Sequence, residues 1–142
     1  LPGLRLAQKY AVSCGGGHNH RMGLYDAILI KENHILACGS IVKAVSQAKR
    51  SNPSMRVEVE VENIEELQEA VDAEADMVLL DNFSLDDVKK AIAIVDNRLL
   101  IELSGGMDLD KVVKLKDLGA DFISVGALTK DLQATDFSMR FS

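Results

Sequence analysis

The sequence predicts an α/β fold on a parallel sheet that curls toward a barrel, and three patterns predict it. Short β-rich apolar runs recur at 27–30, 57–61, 77–80, 99–103 and 122–125, their starts 30, 20, 22 and 23 residues apart. That interval holds a strand, a turn, a helix of about three turns and a return loop. Amphipathic segments fill the intervals, and such a β–α alternation means parallel strands joined by right-handed crossovers. The third pattern is Val57-Glu58-Val59-Glu60-Val61-Glu62, which sets Val on one face of a strand and Glu on the other. Helices cover both faces of an open, doubly wound sheet, where three Glu on one face would be costly. A barrel carries helices only on its outside, so its inner face tolerates a polar lining. The competing reading is an edge strand with one solvated face.

The run at 27–30 stops at Lys31, and no apolar run approaches the roughly 20 residues of a membrane helix. After the run at 57–61, Ile64, Leu67, Ala70 and Val71 form a helical stripe. Asn63 stands at its start with Glu66 three residues on, a capping-box pattern. After 77–80 comes the stripe Leu85, Val88, Ala91, Ile92 and Val95, with Ser84 as its cap and Asp87 three residues on. After 99–103 come Leu109, Val112, Val113 and Leu118, with Lys111, Lys114 and Lys116 before a stop at Gly119. No repeat beyond the βα period, no linker and no charge block interrupts residues 1–142, so one domain is expected.

With 47% hydrophobic and 27% charged residues in 142, disorder and low complexity are excluded. A net charge of −6 argues against nucleic acid as the main partner. Cys14 and Cys38 make no disulfide framework and fit a reduced, cytoplasmic setting. Met55, Met77, Met107 and Met139 read as core or gap-filling residues.

Ligands of α/β folds bind at the carboxyl ends of the strands. Those ends are Lys31-Glu32-Asn33-His34, then Glu58, Glu60 and Glu62, then Asp81-Asn82, then Glu102 with Ser104-Gly105-Gly106, then Ser124-Val125-Gly126-Ala127. The last two resemble phosphate loops. Glycine lets the backbone approach an anion, and the N–H groups at a helix start favour it. Tight turns alone would also use these glycines. Glu60 and Asp81 end neighbouring strands. Two hard carboxylates beside a phosphate suit Mg²⁺, whereas a salt bridge from Lys31 into the same cavity is the equal alternative. Gly15-Gly16-Gly17-His18-Asn19-His20-Arg21 precedes the first strand. His20, Arg21 and Lys31 would make a cationic cluster for an anionic substrate such as a carboxylic acid. A zinc site at His18 and His20 lacks the further ligands it needs.

The ordered motifs GGGHNHRMGL, ILIKENH, VEVEVEN, MVLLDNF, ELSGGM and SVGALT resemble quinolinate phosphoribosyltransferase, and the similarity runs the length of the chain. The resemblance implies a (β/α) barrel of that type, of which about five βα units are present, and a homodimer. It implies transfer of the phosphoribosyl group of phosphoribosyl pyrophosphate to quinolinate, with Mg²⁺ and loss of CO₂, giving nicotinate mononucleotide and pyrophosphate for NAD synthesis. By position, His20 and Arg21 match the pair that holds the quinolinate carboxylate, and Lys31 the lysine between the substrates. Glu60 and Asp81 match the acidic pair near ribose and Mg-pyrophosphate. Ser104, Gly105 and Gly106, with Val125, Gly126 and Ala127, match the 5′-phosphate loops. The family's N-terminal sandwich-like domain and its first barrel strand, Asp-Thr-Arg-Lys-Thr, have no counterpart before Leu1-Pro2, so a barrel-domain fragment is expected. Two alternatives are a molybdenum-transport-associated relative and a non-catalytic phosphate-binding or dimerisation fragment.

Overall fold

The computed structural model describes residues 2–131 and 134–141; Leu1, where the resemblance sets the cut, lies outside them. The strands are β1 (Ile28–Ile30), β2 (Val57–Val61), β3 (Met77–Asp81), β4 (Leu100–Ser104) and β5 (Phe122–Ile123). They form one parallel sheet in the order β1-β2-β3-β4-β5. A strictly sequential order with right-handed crossovers puts the connecting helices on one face, as in an arc of a barrel. The expected α/β arrangement is therefore present as an open five-strand arc.

The described residues form seven helices: α1 (Arg5–Cys14) before the first strand, α2 (Glu32–Cys38), α3 (Ile41–Ser51), α4 (Ile64–Asp72), α5 (Leu85–Val95) and α6 (Leu109–Leu115) between strands, and α7 (Ala127–Lys130) after the last. The long first interval holds two helices, α2 and α3, which the strand spacing alone did not resolve. The core lies between the sheet and α3, α4 and α5. Val57, Val59, Val61, Val78, Leu80, Ile101 and Leu103 from the strands meet Ile41, Val45, Leu67, Ala70, Val88, Ala91 and Val95 from the helices.

The caps follow the sequence. Asn63 Oδ1 accepts the Glu66 N–H at 2.8 Å, and Ser84 Oγ accepts the Asp87 N–H at 3.2 Å. The return bond of Glu66 goes to the Glu62 N–H at 2.9 Å, not to Asn63, so the capping box is displaced by one residue. Three expectations need correction. Helix α6 stops at Leu115, short of Gly119, and half of its stripe is bare, with Leu109 84% and Val113 63% exposed while Val112 and Leu118 are half-buried. No described strand lies beyond β5 for it to cover. The fifth run pairs only over Phe122–Ile123. Met77 is buried, but Met139 is exposed in the tail and fills no core.

Candidate functional site

Because Val57, Val59 and Val61 face the helices, Glu58 and Glu60 face the concave side of the sheet. Register sets Glu60 beside Leu79, Leu79 beside Glu102, and Asp81 beside Ser104. Glu58 and Glu102 are 5% and 4% exposed, the only charged residues so buried among those described. The glycine-rich segment reaches this face through His20. Its Nε2 lies 3.3 Å from Glu58 Oε2 and 4.0 Å from Glu102 Oε1. Ser124 Oγ donates to Glu102 Oε1. Glu58 Oε1 is buried with no hydrogen-bond partner among the described residues.

The Glu58 carboxylate raises the His20 pKa, against a smaller opposing effect of burial. Burial raises the pKa of Glu102, and the Ser124 bond partly offsets this. Ligand-type atoms of His20, Glu58 and Glu102 lie within 4.8 Å of one another, as a metal site requires. The donors argue for a proton instead. His20 Nδ1 accepts the Arg21 backbone N–H at 2.8 Å, so the ring proton sits on Nε2, facing Glu58. A metal on Nε2 would move that proton to Nδ1, where an N–H already points.

The expected cluster of His20, Arg21 and Lys31 does not form as one cationic group. His20 sits between carboxylates, and Lys31 Nζ donates to Glu60 Oε2 at the carboxyl end of the sheet. The Lys31–Glu60 salt bridge is thus the arrangement present. Glu60 Oε1 and Asp81, which accepts from Asn82 Nδ2 at 2.9 Å, remain as hard oxygens at adjacent strand ends. This donor set fits Mg²⁺. His34 serves as a helix cap, its Nδ1 accepting the Lys31 N–H at 3.0 Å.

Arg21 stands apart. Its guanidinium donates to the Ala27 carbonyl at 3.2 Å and has no carboxylate partner among the described residues. It lines a cavity of about 590 Å³ with Arg5, Lys9, His18, Ser124 and Thr129. It also lines one of about 360 Å³ with His20, Glu58 and Glu102. Neither cavity is lined by Lys31, Glu60 or Asp81.

The two glycine loops differ. Gly105 has φ +95°, and a Cβ there would stand 2.3 Å from Asn82 Oδ1, so packing alone demands glycine. Beside it, Lys111 Nζ lies 3.4 Å from where a Gly106 Cβ would be, which brings a cation to the loop. Gly126 has φ −66° and open space where its Cβ would go, so nothing within the chain demands glycine there. Ser104 precedes the first loop on β4, Val125 joins β5 to Gly126, and Ala127 opens α7. The strand-end pattern of the sequence includes Glu58, Glu102 and Ser124 but assigns them no role. The VEVEVE alternation and the SVGALT motif already held that signal.

The sequence pattern described as "Quinolinate phosphoribosyl transferase, C-terminal domain" matches residues 1–140. The chain belongs to this family. It is 45% identical over 139 residues to the probable nicotinate-nucleotide pyrophosphorylase [carboxylating] of Bacillus subtilis, covering 97% of this chain and 48% of that one. The crystal structure of NadC from Streptococcus pyogenes superposes with a TM-score of 0.94 at 44% identity, covering 99% of this chain and 50% of that one. The nicotinate-nucleotide pyrophosphorylase of Francisella tularensis gives a TM-score of 0.90 at 53% identity, covering 94% and 48% of the two chains. The chain spans about half the length of the curated relatives it matches. No described helix of this family member is long and apolar enough to cross a membrane.

Proposed function

We propose that this chain is the larger part of the catalytic barrel of a quinolinate phosphoribosyltransferase, a pentosyltransferase of NAD synthesis. The observation that carries this reading is Arg21, a half-buried guanidinium with no carboxylate partner among the described residues of a protein of net charge −6. A planar fork left open at a cavity binds a carboxylate in bidentate fashion. Quinolinate supplies two carboxylates. The names of the relatives favour this substrate over the molybdenum-transport alternative.

In the reaction, the pyridine nitrogen attacks the anomeric carbon of phosphoribosyl pyrophosphate as pyrophosphate leaves. When CO₂ then departs, the electron pair stays on the ring carbon beside the quaternised nitrogen, whose positive charge stabilises it, and a proton from water takes the place of the carboxylate, so no separate electron sink is required. The chain's own tasks are orientation and charge stabilisation. Arg21 orients quinolinate, with His20 beside it. Lys31, drawn from Glu60, balances negative charge between the substrates. Glu60 and Asp81 face the developing positive charge on ribose and would hold Mg²⁺, which neutralises the pyrophosphate when bound. Ser104, Gly105 and Gly106, with Val125, Gly126 and Ala127, receive the 5′-phosphate, assisted by Lys111. We further propose a cytoplasmic homodimer.

The test is quinolinate-dependent formation of nicotinate mononucleotide and CO₂, by this polypeptide and by one extended to the length of its relatives. Product from either supports the reading, and product from neither overturns it. Replacing Asp81 with Asn should raise the Mg²⁺ concentration needed for half-maximal rate; an unchanged titration would remove Asp81 from the metal role.

A further inference from the structure

We infer that Arg5 and Lys9 are positioning residues that hold the backbone of His20 and Arg21 in its binding geometry. The inference rests on the reading of Arg21 as the carboxylate receptor. Helix α1 contributes no buried residue to the core. Arg5 and Lys9 are four residues apart, so they project from one face of it. Both reach the same short segment. Lys9 Nζ donates to the His20 carbonyl at 2.6 Å. Arg5 Nη2 donates to the Arg21 carbonyl at 3.2 Å, and Arg5 Nε to the Met22 carbonyl at 2.7 Å. Three successive carbonyls are thus held by two cations.

The N–H groups of the segment are engaged as well. That of Arg21 meets His20 Nδ1 at 2.8 Å. Those of Met22 and Gly23 meet Asp26 Oδ2 and Oδ1 at 2.6 and 3.0 Å. These two bonds hold the Asp26 carboxyl below its ordinary range. Asn19 ties the preceding turn to α1 through the Lys9 carbonyl at 2.9 Å. The segment has no regular secondary structure of its own. Three glycines precede it, and glycine leaves the backbone free to rotate. Its conformation is therefore imposed by side chains, and α1 supplies those on the carbonyl side. A helix that adds no buried residue to the core yet turns both its cations to one loop serves that loop rather than the core.

The experiment uses the chain with Arg5→Met, Lys9→Met, the double variant, and Lys9→Arg, which keeps a donor. Amide hydrogen exchange at Arg21, Met22 and Gly23 reads the positioning directly. Calorimetry reads quinolinate and, separately, phosphoribosyl pyrophosphate. We expect faster exchange at those amides in the Met variants, an unchanged thermal midpoint, quinolinate affinity lower by about tenfold or more, a loss of about 1.4 kcal/mol, and recovery in Lys9→Arg. Unchanged exchange, or unchanged quinolinate affinity beside a wild type that binds it, overturns the inference. An equal loss for both ligands also overturns it, since Arg5 and Lys9 would then be direct anion contacts at the shared cavity. A wild type that binds no quinolinate defeats the substrate reading instead, and the exchange measurement still decides whether α1 holds the segment.

Discussion

On the helix-covered face of the sheet, Val57, Val59, Val61, Val78 and Leu103 are at most 1% exposed and belong to one apolar cluster. On the opposite face of the same strands, Glu58 and Glu102 are nearly as buried, beside an imidazole and a hydroxyl. Burial is the same on the two faces, and its energetic sign is not. Each apolar side chain taken from water contributes roughly 1.5–3 kcal/mol. A buried carboxylate costs free energy unless partners offset it, and Glu58 has His20 at Oε2 but no hydrogen-bond partner at Oε1 among the described residues. The helix side holds the fold; the concave side is maintained against its own cost, which points to a ligand.

The largest effect should come from the helix-covered face. Leu80→Ala is expected to destabilise by about 2–5 kcal/mol, the range for truncating a fully buried leucine. Chemical denaturation measures it, and a loss below about 1 kcal/mol would mean that the core does not lie on this face. The two glycine loops extend the contrast. Gly105→Ala forces a Cβ onto Asn82 at a positive φ and should cost about 1–3 kcal/mol of stability. Gly126→Ala should leave stability unchanged or raised by about 0.4–1 kcal/mol, while weakening phosphoribosyl pyrophosphate binding. Equal stability losses for the two would erase the distinction between a packing glycine and a ligand-facing one.

The smallest effect follows from Glu102, whose folded-state pKa is raised, first by burial. A raised carboxyl pKa means that the folded chain binds the proton more tightly than the unfolded chain. The stabilising contribution is complete below the ordinary value of 4.5 and is lost as pH rises through the folded value. At pH 7 the ionised group opposes folding. Glu102→Gln should therefore melt higher than wild type at pH 7, and the gap should close below about pH 4.5. A gap independent of pH would show that Glu102 is not desolvated.

Much of this fold was readable in the sequence because its dominant force is periodic. Five apolar runs, the VEVEVE alternation and the caps Asn63 and Ser84 are local signals, and each appears where local chemistry puts it. Helix α1 is harder to read, since its apolar Leu6 and Tyr10 stand four residues apart but are exposed and join no core. At α6 the pattern is also present, but only part of it is covered: Leu115 and Leu118 pack on the core while Leu109 and Val113 are exposed. At the site, the residue types were readable and their partners were not. Spacing cannot report that His20 turns to Glu58 while Arg21 keeps its guanidinium open, because that choice is made by Arg5, Lys9 and Asp26 acting across the loop.

The role assigned to the concave face rests on Arg21. Titration calorimetry of quinolinate against wild type and Arg21→Gln, with phosphoribosyl pyrophosphate titrated in parallel, tests it most directly. The expected result is a loss of about 2–5 kcal/mol for quinolinate, the range for truncating one partner of a buried charge pair, with phosphoribosyl pyrophosphate little changed. Unchanged quinolinate binding, or an equal loss for both ligands, would contradict it.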